Sequence, residues 1–154
     1  MPDKNIKEIL GSVGLFSSLS PRYLKVLADS CTERSYNADD LIVEQGAQGV
    51  GLMIIASGSV QVRKKLASGE QIQIATLKAG EFFGEISVLD DAPRTANVVA
   101  LEAVDCLVLS SWSFTAAMKS NPEIGVEMLA VILKRYRETS EALSEVKGAA
   151  NATD

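Results

Sequence analysis

The chain has 154 residues, a formal net charge of −5, 47% hydrophobic and 23% charged residues, no histidine and two cysteines. That is the size of one domain with a real core and the composition of an ordinary soluble globular protein. The acidic balance disfavours a nucleic-acid surface, which is normally basic, and the lack of histidine removes His-based zinc sites and triads that use a His base.

No run is long and apolar enough to span a membrane, and Met1-Pro2-Asp3-Lys4 is no signal peptide, so the expected location is cytoplasmic. Cys31 and Cys106, far apart and without a Cys-x-x-Cys spacing, are expected as free thiols with at least one buried.

The pattern predicts a short helix over Asn5–Leu10 with Ile6, Ile9 and Leu10 on one side. A second helix follows, with Ser20 as N-cap and Pro21 at its first position, carrying Tyr23, Leu24, Leu27 and Ala28. From Glu33 the period changes to alternation. Strands are predicted at Thr32–Tyr36, Leu41–Glu44, Gly51–Ala56, Ser59–Lys65, Gln71–Leu77, Ala96–Ala100 and Asp105–Leu109, separated by glycine and asparagine/aspartate turns. Val60 with Val62, and Ile72 with Ile74, alternate with polar residues, so each of these strands is expected to bury one face. Closely spaced short strands of this kind suggest a sandwich or barrel.

The last third returns to helix. Ser111 or Ser113 is the expected cap of a short helix through Met118. Asn121 and Pro122 are expected to open a long one that stops near Lys147 at Gly148, leaving residues 149–154 as a frayed tail. On the long helix Leu129, Ile132, Tyr136, Thr139, Leu143 and Val146 alternate three and four apart. This is the seam of a helix that pairs with a copy of itself, although a helix packing on its own barrel fits the same pattern.

One segment, Phe82 to Val98, carries the chemistry. It reads as strand, tight turn at Gly84, one helical turn, a break before Pro93, and strand. A short helix after Gly84 would point free N–H groups outward, a ready site for an anion. Glu85 and Arg94 are the charges inside the apolar part of the segment. An arginine fork suits a phosphate, and a carboxylate can accept from ribose hydroxyls. Taken bare, the two fit a plain surface ion pair equally well.

The run Phe83-Gly84-Glu85-Ile86-Ser87-Val88-Leu89, followed by Pro93-Arg94-Thr95-Ala96, closely resembles the phosphate-binding cassette of the cyclic nucleotide-binding domain family. The resemblance implies that Glu85 holds the ribose 2′-hydroxyl and Arg94 the cyclic phosphate. Backbone N–H groups at Ile86, Ser87, Thr95 and Ala96 would complete the cradle, with Phe83, Gly84 and Val62 also at the ligand. It implies a mostly β fold: a jelly-roll β-barrel (double-stranded β-helix) with N-terminal helices and a long C-terminal helix. The domain would span residues 1–148, with helices over 1–31, the barrel over 32–110 including the cassette 83–96, and C-terminal helices over 111–147.

The match runs from about Leu15 to Val146. In the catabolite activator branch of the family, a Thr-Ser pair on the long helix contacts adenine, the serine from across a dimer. Thr139-Ser140 stands at the same distance from Arg94, and Tyr136 is expected beside it. One departure is Asp39, where family members often carry a turn glycine; aspartate tolerates left-handed backbone better than most residues.

The expected function is therefore a regulatory sensor domain for a cyclic nucleotide, cyclic AMP ahead of cyclic GMP. It would couple occupancy to movement of the C-terminal helix, a homodimer seam and an effector protein, with no direct nucleic-acid or membrane partner. The helix-turn-helix that follows this helix in the catabolite activator branch has no counterpart before Asp154, so a natural single-domain protein and the excised sensor half of a transcription regulator both remain open. A family member with a changed or lost ligand, serving as a protein-interaction module, is the alternative that an intact Glu85 and Arg94 argue against. No enzyme is expected: Glu85 with Asp90 or Asp91 as an acid pair lacks any supporting nucleophile, base or metal spacing.

Overall fold

A computed structural model of the chain describes residues 5–48, 51–84 and 93–152. Its helices and strands are α1 (Asn5–Ser12), α2 (Pro21–Ser30), β1 (Thr32–Tyr36), β2 (Leu41–Val43), β3 (Gly51–Ser57), β4 (Ser59–Lys65), β5 (Gln71–Lys78), β6 (Phe82–Phe83), β7 (Asn97–Ala100), β8 (Val104–Ser110), α3 (Ser111–Ser120) and α4 (Glu123–Ala152). The strands form two antiparallel sheets, ordered β1-β8-β3-β6 and β2-β7-β4-β5, which face each other as a jelly roll. Each strand predicted from alternation is present with its ends within one residue.

β3 and β8 organise the interior. Gly51 to Ile55 are all buried, and the register pairs Leu52 with Leu109, Met53 with Val108, Ile54 with Leu107 and Ile55 with Cys106. Because successive side chains point to opposite faces, this one strand pair feeds two cores. Leu52, Ile54, Leu107 and Leu109 pack under the helices with Leu10, Phe16, Leu27, Phe114 and Ile124. Met53, Ile55, Cys106 and Val108 pack inside the jelly roll with Val60, Phe83, Val98 and Val104.

Several expectations are corrected. Ile72 and Ile74 do not form a buried face: they are 40% and 52% exposed. β5 is the edge of its sheet, so its outer half has a neighbour on one side only. Ser20 occupies the N-cap of α2, but only its carbonyl works there, accepting from Tyr23 N and Leu24 N; its hydroxyl makes no cap bond. The cap of α3 is Ser110, whose Oγ accepts from Ser113 N at 3.1 Å, rather than Ser111 or Ser113. Asn121 turns its Nδ2 back to Ala117 O at 3.3 Å, so its side chain closes α3, while its carbonyl accepts from Ile124 N at 3.0 Å at the start of α4. α4 runs through Gly148 to Ala152, because a glycine with no neighbour within 4 Å lowers propensity without forcing a turn.

Asp39 adopts φ +72, the left-handed backbone that the turn before β2 requires, with its N–H donating to Ala100 O at 2.8 Å. Asp105 on β8 accepts from Ser35 Oγ of β1 at 2.6 Å and from Ser57 Oγ of β3 at 3.2 Å. The Ser35 bond, aided by Ser57, holds its carboxyl below the usual range. Both cysteines are free thiols; burial pushes Cys31 up to about 12, and burial with the neighbouring Asp105 charge pushes Cys106 up to about 11. Among the described residues, no helix is long and apolar enough to cross a membrane.

Phe114, 2% exposed, closes the helical core, whereas Trp112 two residues away is 81% exposed. Phe114→Ala should cost about 3–5 kcal/mol. Trp112→Ala should stay within about 0.5 kcal/mol of the parent. Urea unfolding of the two variants beside the parent checks both, and equal midpoints for the two would contradict this placement of the core.

Candidate functional site

Among the described residues, Arg94 is the charged residue that the fold buries, with 7% of its surface exposed. Its placement begins with backbone. Arg94 N donates to Ala47 O at 2.9 Å, Gly46 N donates to Arg94 O at 2.8 Å, and Gln48 bridges to Pro93. The residues before β7 are thus zipped to the loop after β2. Pro93 lacks an N–H, so the zip begins one residue later, at Arg94.

The side chain then crosses to the other sheet. Arg94 Nη2 donates to the carbonyl of Gly51, the first residue of β3. Gly84, just past β6, has φ +88, and a Cβ there would meet Arg94 Nη1, with Gly51 O at 2.6 Å and Arg94 Cζ at 2.9 Å. The guanidinium therefore lies against the bare backbone of Gly84, a position that admits no side chain. Gly51 is held in its own right: at φ +138, a Cβ would strike Leu109 O and come within 2.7 Å of Ser110 Cα. Two glycines, one heading β3 and one just past β6, make the slot, and one arginine fills it.

Chemically, the slot fixes a group that never loses its charge and presents planar N–H donors suited to a phosphate or carboxylate. With the side chain ordered by Gly51 and Gly84, little rotamer freedom remains to be lost when an anion meets it.

The other expected site residues fall into four groups. Val62 is on β4, in the sheet that β7 joins after Arg94, and Thr95 and Ala96 lie between Arg94 and β7. Val62 pairs with Val98 and Ala75 beside a bulge and is half-buried against the inner core; Thr95 is exposed and Ala96 half-buried in the bend before β7. Phe83 pairs with Met53 and gives its side chain to the inner core. Glu85, Ile86 and Ser87 lie outside the described residues.

Tyr136, Thr139 and Ser140 are on α4. Tyr136 is 71% exposed, Thr139 is also exposed, and Tyr136 and Ser140 line a cavity of about 530 Å³ with Leu133 and Arg137. Neither Arg94 nor Gly84 lines that cavity. The apolar residues of the seam, Leu129, Ile132, Leu143 and Val146, are each between 46% and 66% exposed, so α4 does not bury them on its own barrel. Sequence reasoning missed Gly51 and the loop at Gly46 and Ala47, which read only as a turn and a strand start. The available signal was Gly51 at the head of a wholly apolar strand, where a missing Cβ marks close approach of another backbone.

The sequence profile described as "Cyclic nucleotide-binding domain" matches residues 33–121. The cGMP-dependent protein kinase, isozyme 1, of Drosophila melanogaster is 37% identical over 114 residues, covering 72% of this chain and 15% of that protein. The Cyclic AMP receptor protein of Thermus thermophilus is 32% identical over 124 residues, covering 80% of this chain and 57% of that protein. The chain thus spans less than two thirds of either relative. Among solved structures, the N-terminal domain of a transcriptional regulator from Streptomyces coelicolor superposes with a TM-score of 0.80 at 27% identity, covering 88% of this chain and 94% of that one.

Gly84→Ala forces a Cβ into the guanidinium and strains φ, whereas Gly69→Ala, also at positive φ, opens onto empty space. Gly69→Ala should cost about 1–2 kcal/mol. Gly84→Ala should cost clearly more, because the arginine must also leave its slot. Equal thermal midpoints for the two would mean that Arg94 does not lie against Gly84.

Proposed function

The chain belongs to the cyclic nucleotide-binding domain family, and from that membership we propose that it is a receptor for a cyclic nucleotide whose phosphate is held by Arg94. The observation that carries this reading is a buried, always-charged guanidinium set between the backbones of Gly51 and Gly84. Only an anion has a strong reason to be recognised by such a group. Glu85 takes the ribose 2′-hydroxyl in this reading, and the N–H groups of Ile86, Ser87, Thr95 and Ala96 take the remaining phosphate oxygens. The role is regulatory rather than catalytic.

The base extends toward α4, where Tyr136, Thr139 and Ser140 meet it. Thr139 and Ser140 favour adenine through its amino group, so cyclic AMP is preferred over cyclic GMP; Thr95, exposed beside Arg94, is the residue that would favour guanine. α4 serves at once as lid and as the seam of a homodimer. Its apolar residues from Leu129 to Val146 stand exposed, which suits both contacts. Ligand that touches α4 only in its closed position shifts the population of that position, and an effector protein reads it.

Arg94→Ala should weaken cyclic AMP binding by about thirtyfold or more, since removing one partner of a desolvated charge pair costs about 2–5 kcal/mol. Calorimetric titration checks this, and an Arg94→Ala protein as tight as the parent would remove the reading. Competition with cyclic GMP in the same titration ranks the two bases; cyclic GMP binding more tightly would shift the weight from Ser140 to Thr95.

Hydrogen exchange tests the lid. Cyclic AMP should add protection over Leu133–Val146 together with the segment from Gly84 to Ala96. Protection of the cassette alone, with α4 unchanged, would leave a binding domain without this switch.

A further inference from the structure

Arg94 is held by backbone, and that backbone is held in turn by the side chains of Gln45 and Asn97. Beyond Arg63, which pairs with Asn97, β4 has no further partner on β7, yet it continues to Lys65. The next rung on that side is supplied by Gln45. Its Nε2 donates to Lys65 O at 3.1 Å, and its Oε1 accepts from Lys65 N at 2.8 Å. A single primary amide thus mimics a strand neighbour, satisfying both the donor and the acceptor of one residue. The backbone of Gln45 is fixed as well, its N–H donating to Asn97 Oδ1 at 2.7 Å. The next two residues, Gly46 and Ala47, carry the bonds to Arg94 O and Arg94 N at 2.8 and 2.9 Å.

We propose that Gln45 is a positioning residue for ligand binding, which clamps the loop after β2 to β4 and so fixes the backbone from which Arg94 reaches its slot. It touches no ligand and acts through Arg94. The chain of bonds runs from Lys65 through Gln45 to Gly46 and Ala47 and ends at Arg94, joining the β4–β5 hairpin to the phosphate site. A glycine at 46 with φ +86 has no stiffness of its own, so the clamp must come from its neighbour. The inference rests on the reading of Arg94 as the phosphate ligand.

The test is a double-mutant cycle with cyclic AMP as the probe, read by calorimetry, on the parent, Gln45→Met, Arg94→Lys and the pair. Gln45→Met keeps side-chain length while removing donor and acceptor. It should weaken binding about five- to tenfold in the parent, the worth of one or two partly exposed hydrogen bonds. In the Arg94→Lys background it should weaken binding less than about twofold, because the two residues act in series. Fully multiplying effects would overturn the proposal. Amide hydrogen exchange supplies a second readout. In Gln45→Met, protection at Gly46 and Arg94 should fall while that at Cys106 and Leu107 in β8 is kept. Unchanged protection at Gly46 and Arg94 would overturn it as well, and loss throughout β8 would show a general role in folding instead. If Arg94→Ala binds like the parent, it is the phosphate reading that fails, and the exchange measurement still decides what Gln45 does.

Discussion

A guanidinium 7% exposed cannot be an afterthought of folding. Taking a permanent charge out of water is costly unless polar groups replace its hydration, and here backbone does so. The carbonyl of Gly51 accepts from Nη2, and the bare Cα of Gly84 lets the planar group lie flat against the chain. That arrangement needs β3 and β6 side by side, which they are, with Met53 opposite Phe83 and Ile54 opposite Phe82. It also needs Arg94 to arrive from the other sheet, which the zip to Gly46 and Ala47 ensures. The arginine thus stitches the two halves of the jelly roll together.

The rigidity behind that stitch comes from the shared strands. β3 and β8 bury one face under the helices and the other inside the roll, so neither core can shift without moving the other. Gly51 sits at the end of this pair, pressed against Leu109 and Ser110 where β8 turns into α3. The carbonyl that holds Arg94 and the start of the C-terminal helices are therefore adjacent in space. A change felt at Arg94 has a short physical path to α3 and from there to α4, which is anchored in the same core by Ile124 and Met128. Past that anchor the apolar residues of α4 stand in solvent.

Alternation over short stretches made the strands legible, because half-buried strands must alternate and glycine turns must separate them. The exception is instructive. Gln71-Ile72-Gln73-Ile74 has the pattern of a half-buried strand, and its isoleucines are exposed. Periodicity records that one face differs from the other; it does not record whether anything lies over that face. The cap of α3 was missed for a related reason. Ser110, Ser111 and Ser113 are chemically equivalent as caps, and the choice among them depended on where β8 ended.

Of the site, the sequence by itself determined the residue types and their order: a glycine at the end of a short strand, an arginine after a proline, and a polar pair on a late helix. Those are local requirements of backbone freedom and charge, and local requirements leave local traces. Alternation, a property of each strand taken alone, pointed to a sandwich or barrel, and the resemblance carried by the cassette residues implied the jelly roll. Only the tertiary structure decided that Arg94 lies against Gly84 and reaches Gly51, and that Gln45 completes the ladder of β4. Gln45 and Asn97 are 52 residues apart in the chain, and Gly51 and Arg94 are 43 apart. No pattern along the chain encodes such a meeting, because it follows from strand order and register, which long-range packing sets.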